Sequence, residues 1–203
     1  MTALQRRRLN ENVTINHAEL IPSMRNFAGV VTPFNQRGDR EFVVSLADNE
    51  QAIQELLEVG YDLKELKARE EGDQPTPILR VRAFYPDPNK GQRGTGPRVV
   101  VITSRGRTEI GERDIANLDW AEFSNVDLIV RPFHWDFNGG KGTKAYLKSL
   151  YVTLLEDELE QRYAHVPRLD ASEAQLAIEG PIDDEIEDGE VVDESEEFQA
   201  FKG

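Results

Sequence analysis

Apolar positions in this chain recur mostly with a period of two. Residues 78–85 (ILRVRAFY) show it cleanly: Leu79, Val81 and Ala83 fall on one side, and Arg80, Arg82 and Phe84 on the other. Runs of branched and aromatic residues predict further strands over 26–34 (NFAGVVTPF), 40–46, 98–103, 126–137 and 144–155. Residues 35–39 (NQRGD) supply a turn between the first two, with Gly38 able to take a positive φ, so these strands form a hairpin. Residues 138–143 (NGGKGT) join the last two as a flexible hairpin loop.

Helical spacing is confined to short stretches. Asp48 caps a helix with Gln51 as its capping-box partner; Ile53, Leu56 and Leu57 form its apolar stripe and Gly60 ends it. A short helix is expected over 112–118 and a final turn or two over 156–165. Residues 67–77 and 86–97 are polar, Gly/Pro-rich loops. Residues 1–24 read as a loose arm, 25–166 as the folded domain and 167–203 as a disordered tail. Many strands, regular turn signals and one or two short helices predict a mainly β fold. A five-stranded Greek-key barrel of the oligonucleotide-binding type fits the length.

Charge divides the chain at the same place. Residues 167–203 hold thirteen carboxylates and two bases, a net −11, while residues 1–166 hold 22 bases and 25 acids. The body is therefore almost neutral and able to carry local basic patches, although the whole chain is at −14. Cysteine is absent, which excludes disulfides and thiolate metal sites. No apolar run reaches the ~20 residues a membrane helix needs. The opening MTALQRRRLNENV has bases but no apolar stretch behind them, so no secretory signal is expected. His17, His134 and His165 have no metal-ligand spacing, and nothing calls for a cofactor.

The chemistry-bearing pattern is bases interleaved with aromatics. Between Arg80 and Arg113 there are eight bases against three acids, Arg105 and Arg107 among the bases. Arg80, Arg82 and Phe84 share a strand face. Trp135 and Phe137 precede Lys141, Lys144, Tyr146 and Lys148, the last three alternating onto one face. Arg25, Phe27, Phe34, Arg40 and Phe42 repeat the theme near the front. Guanidinium and ammonium groups can track phosphates while rings stack on bases, which is what a single strand requires. Each ring has an alternative place in the core. Residues 139–144 (GGKGTK) lack the closing Gly-Lys-Ser/Thr of a phosphate loop. Asp119, Asp127 and Asp136 leave open a metal-dependent nuclease, though Asp119 reads as a turn residue and Asp127 as a strand start.

The tail carboxylates (Asp183, Asp184, Glu185, Glu187, Asp188, Glu190, Asp193, Glu194, Glu196, Glu197) surround two rings, Phe198 and Phe201. Acids around an aromatic anchor suit a basic pocket on a partner protein. The same segment could instead lie over the basic groove of its own body, or simply aid solubility.

The chain resembles the single-stranded-DNA-binding proteins of tailed bacteriophages. The resemblance is carried by residues 24–29 (MRNFAG), Phe34-Asn35 with Gly38, Arg40 and Phe42, Leu118-Asp119, residues 125–132 (NVDLIVRP) and residues 142–152 (GTKAYLKSLYV), over roughly residues 20–165. It implies an oligonucleotide-binding barrel, no enzymatic activity, and sequence-tolerant coating of single-stranded DNA in phage replication, recombination and repair. It also implies that the acidic tail recruits replication proteins such as the polymerase, in the cytoplasm of an infected bacterium, without a membrane; a homodimer stays open. Here Phe201 is followed by Lys202-Gly203, whereas similar tails finish on an acidic-aromatic end. An acidic protein-binding adaptor is the alternative.

Overall fold

Nine strands join in one mixed sheet in the computed structural model, which describes residues 11–67 and 75–167. The elements are β1 (Val13–Ile15), β2 (Glu19–Asn26), β3 (Glu41–Ser45), α1 (Glu50–Val59), β4 (Lys64–Leu66), β5 (Thr76–Arg82), β6 (Arg98–Thr103), β7 (Gly106–Ile110), β8 (Phe123–Phe137), β9 (Gly140–Leu154) and α2 (Glu158–Arg162). Two 3-10 turns, Pro88–Lys90 and Ile115–Asp119, interrupt the connections. Contacts divide the chain into residues 1–165 and 166–203. The tail carboxylates, Phe198 and Phe201 lie outside the described residues.

The main path of the sheet runs β1-β8-β9-β5-β3-β2. Its two ends, β1 and β2, are separated only by Asn16, His17 and Ala18, and His17 takes a φ of 51° at the bend. They are two halves of one bent strand, one half pairing with β8 and the other with β3, so the path closes on itself. Counted that way the ring has five strands in the order 1-2-3-5-4, antiparallel throughout except for the parallel β5–β9 contact. This is the oligonucleotide-binding barrel, and closure leaves the ring few free edges to protect. The β6–β7 hairpin continues the outer edge of β9, and β4 lies beside β5.

Alternation builds the core. Phe42 and Val44 from β3, Leu79 and Val81 from β5, Val126, Leu128 and Val130 from β8, and Leu147, Leu150 and Val152 from β9 are all buried. Each such side chain contributes about 1.5–3 kcal/mol on leaving water. The α1 helix adds Ala52, Leu56 and Val59, and Gly60 ends it in the left-handed conformation as expected.

Several expectations are corrected. Of the supposed loose arm, residues 13–15 and 19–24 are strand, with Val13 and Ile15 in the core. The first long strand ends at Asn26 instead of beginning there, because residues 27–40 form a side-chain-bonded loop. The α1 cap is Asn49, whose side chain accepts from Ala52 N–H, while Gln51 bonds Glu55. The flexible loop over 138–143 is a two-residue turn: Asn138 and Gly139 both have positive φ, the primed geometry that matches strand twist, and residues 140–143 continue the ladder. β7 was not expected, since its residues are nearly all exposed and carry no alternation to read. The helix over 112–118 is the 3-10 turn at Ile115–Asp119.

Candidate nucleic-acid interface

Strand register carries one row of side chains across the outer face of the barrel. Glu41 of β3 lies opposite Arg82 of β5, Arg82 beside Tyr146 of β9, and Tyr146 opposite Arg131 of β8. Toward the hairpin tip, Phe133 lies opposite Lys144 and Trp135 opposite Gly142. Tyr146 is the hub: the Phe133 ring meets it edge-on at 5.6 Å, the Phe84 ring at 6.2 Å, and the Arg131 guanidinium lies 5.9 Å from its centroid.

Three open hollows adjoin along this row. One is lined by Arg80, Arg82, Trp135, Lys141 and Lys144, a second by Arg40, Arg82, Phe84 and Tyr146, and a third by Phe84, Arg131, Phe133 and Tyr146. Arg82 joins the first to the second, and Phe84 and Tyr146 join the second to the third, so they form a continuous track of rings and cations. Phe84, Phe133 and Trp135 each expose between a third and about half of their surface.

The glycines of the hairpin serve Trp135. A Cβ on Gly142 would sit 3.0–3.1 Å from the indole, and one on Gly140 3.4 Å from it. The ring therefore lies against bare backbone while more than a third of the residue stays exposed. Such aromatic cover of glycine also stabilises the pair. This accounts for the glycine-rich stretch without any phosphate loop. Likewise, a Cβ on Gly96 would collide with Tyr85, whose phenol pKa burial pushes up to about 12.

Three arginines of the track are held by acids. Arg80 pairs with Glu41 at 2.7 Å, Arg82 with Asp39 at 3.0 Å and Glu41 at 3.7 Å, and Arg40 with Glu112 at 2.9 Å. Among the described residues, neither Lys141 nor Lys144 has an ion-pair partner.

Other sequence candidates lie elsewhere. Phe27 is fully buried, stacked on Phe42 with centroids 4.7 Å apart, and presents no face to a base. Arg25 donates to the backbone carbonyls of Ala121 at 2.6 Å, Leu20 at 3.2 Å and Leu118 at 3.5 Å, and covers the Phe123 ring, so it ties the barrel together. Arg105 is held by Glu160 at 2.8 Å on the β6–β7 hairpin, and neither it nor Arg107 lines the track. Lys148 does follow Lys144 and Tyr146 on the outward side, with Ala145 and Leu147 buried between them, but it sits at a bulge, where Ile129 pairs with Ser149 and Val130 with Leu147, and it lines none of the three hollows. Sequence reading passed over Arg131 and Phe133 as site residues. Their signal is the two-residue spacing Arg131, Phe133, Trp135, Phe137 along β8.

Two of the three carboxylates of the nuclease alternative hold structure. Asp119 accepts the N–H groups of Phe27 and Ala28 at 2.7 and 2.9 Å, and Asp127 accepts from the His17 N–H and the Asn125 amide, both at 2.9 Å. Among the described residues no three His, Asp or Glu side chains gather as a metal site, and no helix is long and apolar enough to cross a membrane.

A five-stranded barrel with an open track of rings and cations on its outer face defines a single-strand nucleic-acid-binding protein. The family comparison agrees: residues 1–200 match the family described as a phage ssDNA-binding domain, and the chain belongs to that family. No curated protein matches the sequence. Among solved structures the chain is similar to the single-stranded DNA-binding protein from bacteriophage Enc34, at 13% identity and a TM-score of 0.47, over 81% of this chain and 90% of that one. The same protein in complex with ssDNA matches at 13% identity and a TM-score of 0.46, covering 72% and 88%. Gp2.5, a single-stranded DNA-binding protein encoded by bacteriophage T7, matches at 13% identity and a TM-score of 0.38, covering 79% and 97%.

Proposed function

We propose that this single-stranded-DNA-binding protein lays the strand along the outer track from Trp135 to Phe84 and coats it without sequence preference. The observation that supports this reading is the shared row of Arg82, Tyr146 and Arg131 with Phe84, Phe133 and Trp135 around it. Rings offer stacking to any base at about 1–3 kcal/mol per base, and phosphates are met by Lys141, Lys144 and the arginines. A duplex binds poorly on such a surface because its bases are already stacked. In this reading the protein is not an enzyme and acts in phage DNA replication, recombination and repair inside the infected cell. Residues 167–203 serve as an acidic tail that recruits replication proteins such as the polymerase.

Fluorescence anisotropy of labelled oligo-dT beside the matching duplex, over a salt series, tests the reading. Submicromolar, salt-sensitive binding to the single strand, with the oligonucleotide intact in Mg²⁺, is the expected result. Equal affinity for both forms, or none for either, overturns it.

A further inference from the structure

Glu41 is the sole buried charged side chain among the described residues, 9% exposed, and it lies on the outer, ligand-facing row instead of in the core. Burying a carboxylate is costly unless cations and hydrogen bonds compensate it. Here Arg80 stands 2.7 Å away and Arg82 3.7 Å, with Asp39 taking the other side of Arg82 at 3.0 Å. Two guanidiniums and two carboxylates form a cluster with no net charge on a track where Arg40 is also paired, with Glu112, while among the described residues Lys141 and Lys144 have no ion-pair partner.

Resting on the single-strand reading above, we propose that Glu41, with Asp39, is a resident counterion that occupies the phosphate-binding donors of Arg80 and Arg82 in the free protein and holds DNA affinity down. A carboxylate presents to a guanidinium the same pair of acceptor oxygens as a phosphate. A phosphate arriving at Arg80 or Arg82 therefore exchanges one anion for another. The arginines gain little Coulomb energy, and the salt ions released come from the strand meeting the lysines. The device lets the protein leave a strand when polymerase or another enzyme needs it, while the arginines stay oriented.

The test substitutes Glu41→Gln in the full chain and titrates labelled oligo-dT from low to moderate salt. Glutamine keeps an acceptor for Arg80 and removes the charge. The expected result is at least about three-fold tighter binding at low salt and a slope of log affinity against log salt steeper by about 0.7, one phosphate's worth on a single strand. Asp39→Asn, whose carboxylate is a third exposed, shifts both readouts in the same direction and guards against a Glu41 variant that fails to fold. A folded E41Q that binds equally or more weakly, or a D39N with an unchanged slope, overturns the proposal. Wild-type protein that does not bind oligo-dT overturns the single-strand reading itself, so the two failures are distinguishable.

Discussion

The β8–β9 hairpin is one continuous ladder with two different jobs along its length. In its stem, Val126, Leu128 and Val130 face Leu147, Leu150 and Val152 inside the barrel. At its tip, Phe133, Trp135 and Phe137 stand exposed beside Lys141 and Lys144. Both are antiparallel pairing between the same two strands, with register shifts only in the stem. What differs is whether other strands close over the ladder: β1 and β6 flank the stem, and among the described residues no strand pairs with the tip's outer edges. Stability and binding are thus separated along a single element.

Substitutions should respect that division. In the stem, Leu150→Ala leaves a cavity and costs about 2–5 kcal/mol of folding free energy. Denaturant melts would show it, while the folded fraction still binds oligo-dT normally; lost binding in folded protein would break the comparison. At the tip, Trp135→Ala removes one stacking ring and weakens oligo-dT binding by about 1–3 kcal/mol with little change in the melt. A large drop in melting temperature would show the ring to be structural. The smallest effect belongs to Lys144→Gln, which should reduce the salt slope by about 0.7 and leave stability unchanged. An unaltered slope would remove Lys144 from the phosphate track.

Much of the barrel was legible because alternation reports directly on a strand with one face buried. Residues 78–85 placed Leu79, Val81 and Ala83 inside and Arg80 and Arg82 outside, and all five sit so. The loop over residues 27–40 was misread because its apolar run, Val30, Val31 and Phe34, looks like strand. It is held instead by Asn26 bonding Val30, Asn35 bonding Asp39, and the close approach of Gly29 to Gly38, whose added Cβ atoms would meet the other's carbonyl at 2.8–2.9 Å. Phe34 at the loop's end is almost wholly exposed. Of the candidate site, Arg82, Phe84, Trp135, Lys144 and Tyr146 were found from local spacing and meet on one track. Arg25 and Phe27 carry the same local signature, and only partners about ninety residues away, the carbonyls of Leu118 and Ala121 and the carboxylate of Asp119, turn them to structural use.

By itself the sequence determined β3, β5, β6, β8 and β9, through period-two alternation and branched or aromatic runs, and the placement of most of the negative charge beyond residue 166, because both are properties of neighbouring residues. Tertiary structure decided which rings are core and which are surface, and which cations are already neutralised. Those outcomes depend on register between distant strands. A bulge at Lys148 leaves that lysine without a register partner on β8, and the β3–β5 pairing brings Glu41 beside Arg80 and Arg82.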